Sequence, residues 1–539
     1  MVPIPATRRW FLSRLSQVTS AAGLLGLAPR PSGPSGAPAS GRNVYDVTAF
    51  GARGDGKALD TAAINQAITA AAAAGGGIVS FPAGTYLSYS IQLKSNVGLY
   101  LGHGCTLEAA EGNGYDAAES NQPWENYQDY GHNHWHNSLI WGEHLHDVSI
   151  AGPGLIWGKG LSRGEGPSPQ AETPGIGNKS IALKNCRNVV LRDFSILHGG
   201  HFGILATGVD NLRIDNLQID TNRDGMDIDC CRNVRIAHCS VNSPWDDAIV
   251  LKSSYALGLA RSTEMVTISD CLVTGDYEEG TLLDGTFRHF DPTRKLKPDE
   301  EEVWHSGRIK FGTESNGGFK NITIANCVFD GCHGLALESV DGAQIEDIAI
   351  TNLTMREIYD APIFIRLGSR MRGPAGTAVG VIRRVLISNV VCSNADSSIC
   401  SSITGIPGHK VEDVRLSNIV IENKGGGTRQ QATIRVPEKE AEYPDPDMFG
   451  STPAHGFFLR HVRGIEMEGV KIVAGNQDER PAFVLEDVEN AEFTRPQVPV
   501  VAGVPLFALS EVEHFRLRDS AHLPDMSLDR VTQKEILPE

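Results

Sequence analysis

The sequence predicts an all-β chain wound as a solenoid, a parallel β-helix, with one helix capping its N-terminal end. Three observations carry this. A nine-residue pattern recurs along most of the 539 residues, glycine is high at 58 residues, and one Ala-rich segment, Asp60–Ala74, lacks both Gly and Pro. Gly at about 11% of the chain, against an average near 7%, means many turns per unit length and few long helices. With 41% hydrophobic and 21% charged residues the chain has ample apolar surface for a core.

The pattern begins with Asn or Asp and alternates apolar with polar residues. It reads Asn188–Ile196, Asn211–Ile219, Asn233–Val241, Asn321–Phe329 and Asp413–Ile421, with further copies at Asp347–Met355, Arg384–Cys392 and Gly464–Ile472. Period-two alternation broken by a polar corner is strand chemistry with a bend. The first three copies start 23 and 22 residues apart. A unit that small cannot bury its own inner face, so it must stack on its neighbours; a propeller would show a period near 40 residues. Wider spacing later marks loops at about 276–305, 370–380 and 424–456. The Ala-rich segment Asp60–Ala74 is expected to be the helix that covers the open strand edge.

Residues 1–39 read as an export signal and linker. Arg8-Arg9-Trp10-Phe11-Leu12 gives a twin-arginine pair, an apolar stretch follows, and Ala37-Pro38-Ala39 offers small residues for cleavage. The apolar stretch is too short for a membrane anchor. The expected organisation is a Tat-type signal at 1–39, a β-helix at 40–520 and a C-terminal tail at 521–539. The location that follows is periplasmic or secreted. The ten cysteines need not form a disulfide framework in a chain this large. Cys239, Cys271 and Cys327 hold one place in the repeat and are expected to stack as buried free thiols. The formal charge of −17 argues against a nucleic-acid partner and against anionic membranes.

The chemistry is expected where carboxylates recur at the repeat spacing. One coil carries Asn222-Arg223-Asp224-Gly225-Met226-Asp227 and the next Trp245-Asp246-Asp247. Asp246 follows Asp224 by 22 residues, which places Asp224, Asp246 and Asp247 on one edge of the stack. Carboxylates this close cannot all ionise freely, so at least one pKa should rise, giving an acid beside a base. Glycoside hydrolysis needs that pairing. Asp side chains at turns also cap backbone N–H groups or bind calcium, and the spacing alone leaves these readings open.

Asn-x-Asp-Gly followed one coil later by Asp-Asp resembles the signature of glycoside hydrolase family 28, the polygalacturonases and their relatives. Phe50–Gly56 and Gly75–Tyr86 resemble the N-terminal part of pectin-active β-helices. The resemblance implies a right-handed helix and an inverting hydrolase in which Asp246 is the general acid, with Asp224 and Asp247 activating water. A one-coil spacing is nearer the short carboxylate distance associated with retention than the 6.5–9.5 Å or so expected for inversion. The Asp-Asp pair also falls one residue later than in the family, behind Pro244-Trp245, so a small bulge is expected.

The chain departs from the family where substrate cations are usual. The stretch Ser306–Gly318 has no histidine where the family's Gly-His-Gly would place one, and the place of Arg-Ile-Lys reads Ala336-Leu337-Glu338. Arg308 and Lys310 are expected to supply the charge from one coil earlier, with Lys252, Arg366, Arg370 and Arg372 as further cations. Glu338, His201 and Trp135 are candidate substrate contacts, Trp135 as a stacking face in the aromatic and imidazole-rich loop 124–141. His132, His134 and His136 lie in that loop without Cys or carboxylate partners beside them, so no metal and no cofactor is expected. The expected activity is hydrolysis of pectin-type chains, galacturonide or rhamnogalacturonan-like, by a monomer acting on polysaccharide or oligosaccharide. The alternatives are a β-eliminating lyase, which needs calcium and a basic residue, and a noncatalytic carbohydrate-binding β-helix.

Overall fold

A computed structural model describes residues 43–121, 123–128, 131–163, 173–291 and 303–538. The expected export signal lies outside them. Each coil is built from up to three short strands, and corresponding strands pair in parallel from coil to coil. Phe202–Thr207, Asp210–Asp215 and Gln218–Asp220 make one coil, and they pair with Asp224–Asp229, Arg232–Ala237 and Ser240–Asn242 of the next. The fold is a right-handed parallel β-helix. Inward side chains such as Ile204, Met226, Ile249 and Ile309 sit in register and are wholly buried. Stacking identical apolar rungs removes nearly all of their surface from water, which drives assembly of a unit too small to fold alone.

The corners explain the asparagines that head the repeat. Asn188, Asn211 and Asn233 adopt left-handed backbone conformations, φ 56°, 57° and 54°, which Asn tolerates better than most residues. Their amides hydrogen-bond up the stack, Asn211 to Asn188 at 2.9 Å and Asn233 to Asn211 at 2.7 Å. A second ladder joins Asn326, Asn352, Asn389 and Asn418. All ten cysteines are free and buried, and the thiols of Cys239, Cys271 and Cys327 each donate to the carbonyl two residues back, Ala237, Ser269 and Ala325.

Helix α1, Thr61–Ala73, turns Ile64, Ala67, Ile68 and Ala71 onto the N-terminal coil. At the other end the chain departs from expectation. Met526–Ile536, read from sequence as part of a tail, is a strand paired antiparallel with Phe507–Arg518. It buries Val531 and Ile536 and closes the edge that the last parallel rung would leave open.

One sheet concerns the site. Its strands are β1 Phe202–Thr207, β2 Asp224–Asp229, β3 Ile249–Ser253, β4 Ile309–Ser315, β5 Leu335–Ser339 and β6 Ile363–Leu367. The outward residues of these strands are also buried, because loops lie over them. Arg366 of β6 helps fasten one such loop by donating to the Glu438 and Lys439 carbonyls at 2.7 and 3.1 Å, and Arg460 donates to the Val436 and Pro437 carbonyls.

Candidate active site

The rung between β2 and β3 creates the site. Phe202 pairs with Asp224, a step of 22 residues, whereas Met226 pairs with Ile249, a step of 23. The extra residue enters at Pro244–Asp246, outside the strands. Asp247 therefore stands opposite the start of β2, where the Gly225 N–H donates to its carbonyl at 2.9 Å. Asp246, expected level with Asp224, sits one residue upstream in the turn. The three carboxylates still converge: one oxygen from each lies within 4.8 Å of the others.

Their surroundings differ sharply. Arg308 Nε donates to Asp247 Oδ1 at 2.8 Å and Lys310 Nζ stands 3.3 Å from Oδ2. Despite burial, these two cations hold the Asp247 carboxyl well below the usual range. Asp224 is buried among Asp227, Asp246 and Asp247, and desolvation with those like charges pushes its carboxyl well above the usual range. Asp246 receives Arg223 Nη2 at 2.8 Å, and its side chain, 28% exposed, reaches solvent. An anion, a buried proton holder and a carboxyl open to solvent thus meet at one edge.

Arg308 and Lys310 do meet the carboxylates, as their spacing suggested. Arg308 also donates to Asp445 Oδ2 at 2.8 Å and lies 3.6 Å from Asp360. Lys310 donates to the Tyr443 hydroxyl at 3.2 Å and stands 3.7 Å from Glu338. It pairs across the rung with Ala336, so it occupies the coil next to the absent family arginine. Burial pushes the Glu338 carboxyl up to about 7. Lys252 reaches Glu314 at 3.0 Å and Asp227 at 3.9 Å. The pairing of β3 with β4 slips between Leu251–Phe311 and Ser253–Ser315, and this bulge brings Glu314 level with Lys252. His201 is buried with Nδ1 3.0 Å from the Arg163 carbonyl, and burial lowers its pKa well below normal.

Trp135 corrects the sequence reading. It is wholly buried against Ala182, Phe202, Leu205 and Ala256, donates to Thr207 Oγ1 at 3.1 Å, and lies under Lys184, 4.1 Å from the ring. A residue packed on an apolar rung cannot offer a face to a sugar. Arg366 and Arg370 are also elsewhere engaged, Arg366 with loop carbonyls and Arg370 with Asp341 at 2.5 Å. The histidines of that loop diverge. His136 stacks on Trp141 and pairs with Glu143 at 3.0 Å, His134 approaches Glu125 at 3.3 Å, and His132 enters the site.

Sequence reading missed Asp227, Glu314, Tyr443 and Asp445. Asp227 was open to discovery, because it is in register with Val250 and Lys310, two positions before Asp229, which is level with Lys252. Tyr443 and Asp445 arrive on the 424–456 loop, whose path has no periodic signal.

Comparisons with known proteins agree with this architecture. Residues 42–140 match the family Rhamnogalacturonase A/epimerase, pectate lyase-like, and residues 172–292 match the right handed beta helix region. A family 28 exopolygalacturonase from Yersinia enterocolitica superposes with a TM-score of 0.55 at 18% identity, covering 89% of this chain and 78% of that one. This chain is a parallel β-helix with the fold of that exopolygalacturonase. An exopolygalacturonase from Thermotoga maritima superposes on this chain with a TM-score of 0.56 at 18% identity, covering 80% of this chain and 92% of that one. A probable polygalacturonase of Vitis vinifera is 23% identical over 413 residues, 69% of this chain and 73% of that protein.

Proposed function

We propose that the chain is an exported glycoside hydrolase of pectin-type chains, with Asp224, Asp246 and Asp247 as its catalytic carboxylates. The observation that carries this reading is the meeting of three carboxylates in three settings: Asp247 held by two buried cations, Asp224 buried among acids, and Asp246 reaching solvent. Asp247, kept anionic by Arg308 and Lys310, is suited to take a proton from water. Asp246 reaches solvent and is suited to protonate the departing glycosidic oxygen once substrate displaces Arg223. Asp224, whose carboxyl is pushed up by burial and by its acidic neighbours, lies within reach of both. Inversion of the anomeric centre follows the family resemblance, and proton NMR of the first product formed tests it.

The charge balance supports a neutral sugar at the cleaved bond. Lys252, Arg308 and Lys310 each face carboxylates already. A uronate would have to displace those partners in a pit that also contains Asp224 and Asp227. An alternating backbone of rhamnogalacturonan type fits better than homogalacturonan. The reading includes a Tat-type signal at residues 1–39 and a monomer in solution. No helix among the described residues is long and apolar enough to cross a membrane.

The test is incubation of the purified chain with homogalacturonan, rhamnogalacturonan and their oligomers. New reducing ends without the ultraviolet absorbance of an unsaturated uronide are expected. Absorbance would indicate a lyase, and neither product would indicate a binding protein. Asp246→Asn should lower kcat by about 10²–10⁴-fold. Its thermal midpoint should stay near that of the parent, since the side chain reaches water. A normal rate in that variant would remove Asp246 as the acid.

A further inference from the structure

Beside the proposed catalytic trio lies a second group with different chemistry. Asp227 is wholly buried, yet neither of its carboxylate oxygens receives a hydrogen bond. His132 is 7% exposed, and neither ring nitrogen makes one. Buried polar atoms are nearly always hydrogen-bonded; these two are held only by looser charge contacts, which in His132 include Nδ1 at 3.7 Å from Glu314 Oε1, and a ligand between them would satisfy both. His132 Nε2 stands 3.3 Å from Asp227 Oδ2, and one donor atom each from His132, Asp224 and Asp227 lies within 4.8 Å of the others. The nearest fixed cation, Lys252, is closer to Glu314 at 3.0 Å than to Asp227 at 3.9 Å.

We infer that His132, Asp224 and Asp227 form a binding site for a divalent cation of the zinc or manganese type. One imidazole with two carboxylates is a donor set that suits first-row divalent metals, whereas calcium takes oxygen ligands alone. Donors about 2.0–2.2 Å from such an ion lie roughly 3–3.6 Å from each other. Side-chain rotation of about an ångström therefore closes the group around an ion. The ligands come from the 124–141 loop and from positions one and four of strand β2, so no familiar metal-binding spacing announces them. The site stands independently of the hydrolase reading, but its consequence rests on that reading. Asp224 belongs both to this group and to the proposed catalytic trio, so a cation bound to it would occupy a catalytic carboxylate and compete with turnover.

The experiment uses the full chain without an affinity tag, stripped with chelator and titrated separately with Zn²⁺ and Mn²⁺ by calorimetry near neutral pH. One equivalent of at least one ion is expected to bind. Asp227→Asn and His132→Gln should each weaken binding at least tenfold, while Asp246→Asn and His333→Gln leave it within about twofold. Absence of saturable binding overturns the site, as does binding that survives both ligand variants or disappears in His333→Gln. Pulsed EPR of the parent chain with Mn²⁺ decides the matter even if the ligand variants fold poorly. Coupling to one imidazole nitrogen is expected, and its absence overturns the assignment. Added metal should slow hydrolysis in the parent. Normal turnover by Asp246→Asn would sink the hydrolase reading while leaving the cation site intact.

Discussion

Two outward faces of the same solenoid are written in the same alternating code and end in opposite environments. On the sheet that carries the corner asparagines, Arg213, Arg235 and Arg415 project into water. Arg415 meets Glu468 at 3.1 Å with the side chains 53% and 38% exposed. On the sheet of β1 to β6, Lys252, Lys310 and Arg366 occupy equivalent outward positions and are at most 6% exposed. Loops make the difference. Where they lie over a rung, each charge must find its partner inside the protein; where they do not, water does the work.

The largest effect should come from breaking the covered face. Arg308→Met strands Asp247, Asp360 and Asp445, and removal of one partner from a buried ionic group costs about 3–5 kcal/mol. Denaturant titration should show that loss, and a loss below about 1 kcal/mol would mean the covered face is wetter than described. A smaller effect is expected at Glu338. Its folded pKa of about 7 lies above the ordinary value of 4.5, so the native state keeps a proton that the unfolded chain releases in between. Stability from this group is present at low pH and lost as pH rises through about 7. Glu338→Gln should therefore narrow the difference in thermal midpoint between pH 5 and pH 8, and an unchanged difference would reject the assignment. The smallest effect belongs to the open face. Arg415→Ala should change stability by no more than about 0.5 kcal/mol.

Most of the winding was legible because one physical constraint repeats. Each corner needs a left-handed residue and each inward position an apolar one, so Asn188, Asn211 and Asn233 and the isoleucines near them announce the coil. The meeting of Asp224, Asp246 and Asp247 was legible for the same reason, as was the approach of Arg308 and Lys310. The one-residue shift that sets Asp247, not Asp246, opposite the start of β2 depends on how the Pro244–Asp246 turn is accommodated. Trp135 was misread because an aromatic loop residue has the same signature whether it faces a sugar or packs onto Phe202. Tyr443 and Asp445 were hidden because an irregular loop has no period from which its path could be extrapolated. Asp227 was hidden in plain view, since its importance lies in burial without hydrogen bonds.

The reversed strand Met526–Ile536 has a consequence for assembly. A parallel stack grows by adding identical rungs, and the open rim of Phe507–Arg518 would accept a strand from another copy as readily as one of its own. Turning the chain around ends that growth and presents an outer rim bearing Asp529, Arg530, Lys534 and Glu535. Deleting residues 521–539 should leave that rim open and promote end-to-end association detectable by light scattering; an unchanged particle size would mean that the reversed strand does not serve as a terminator of polymerisation.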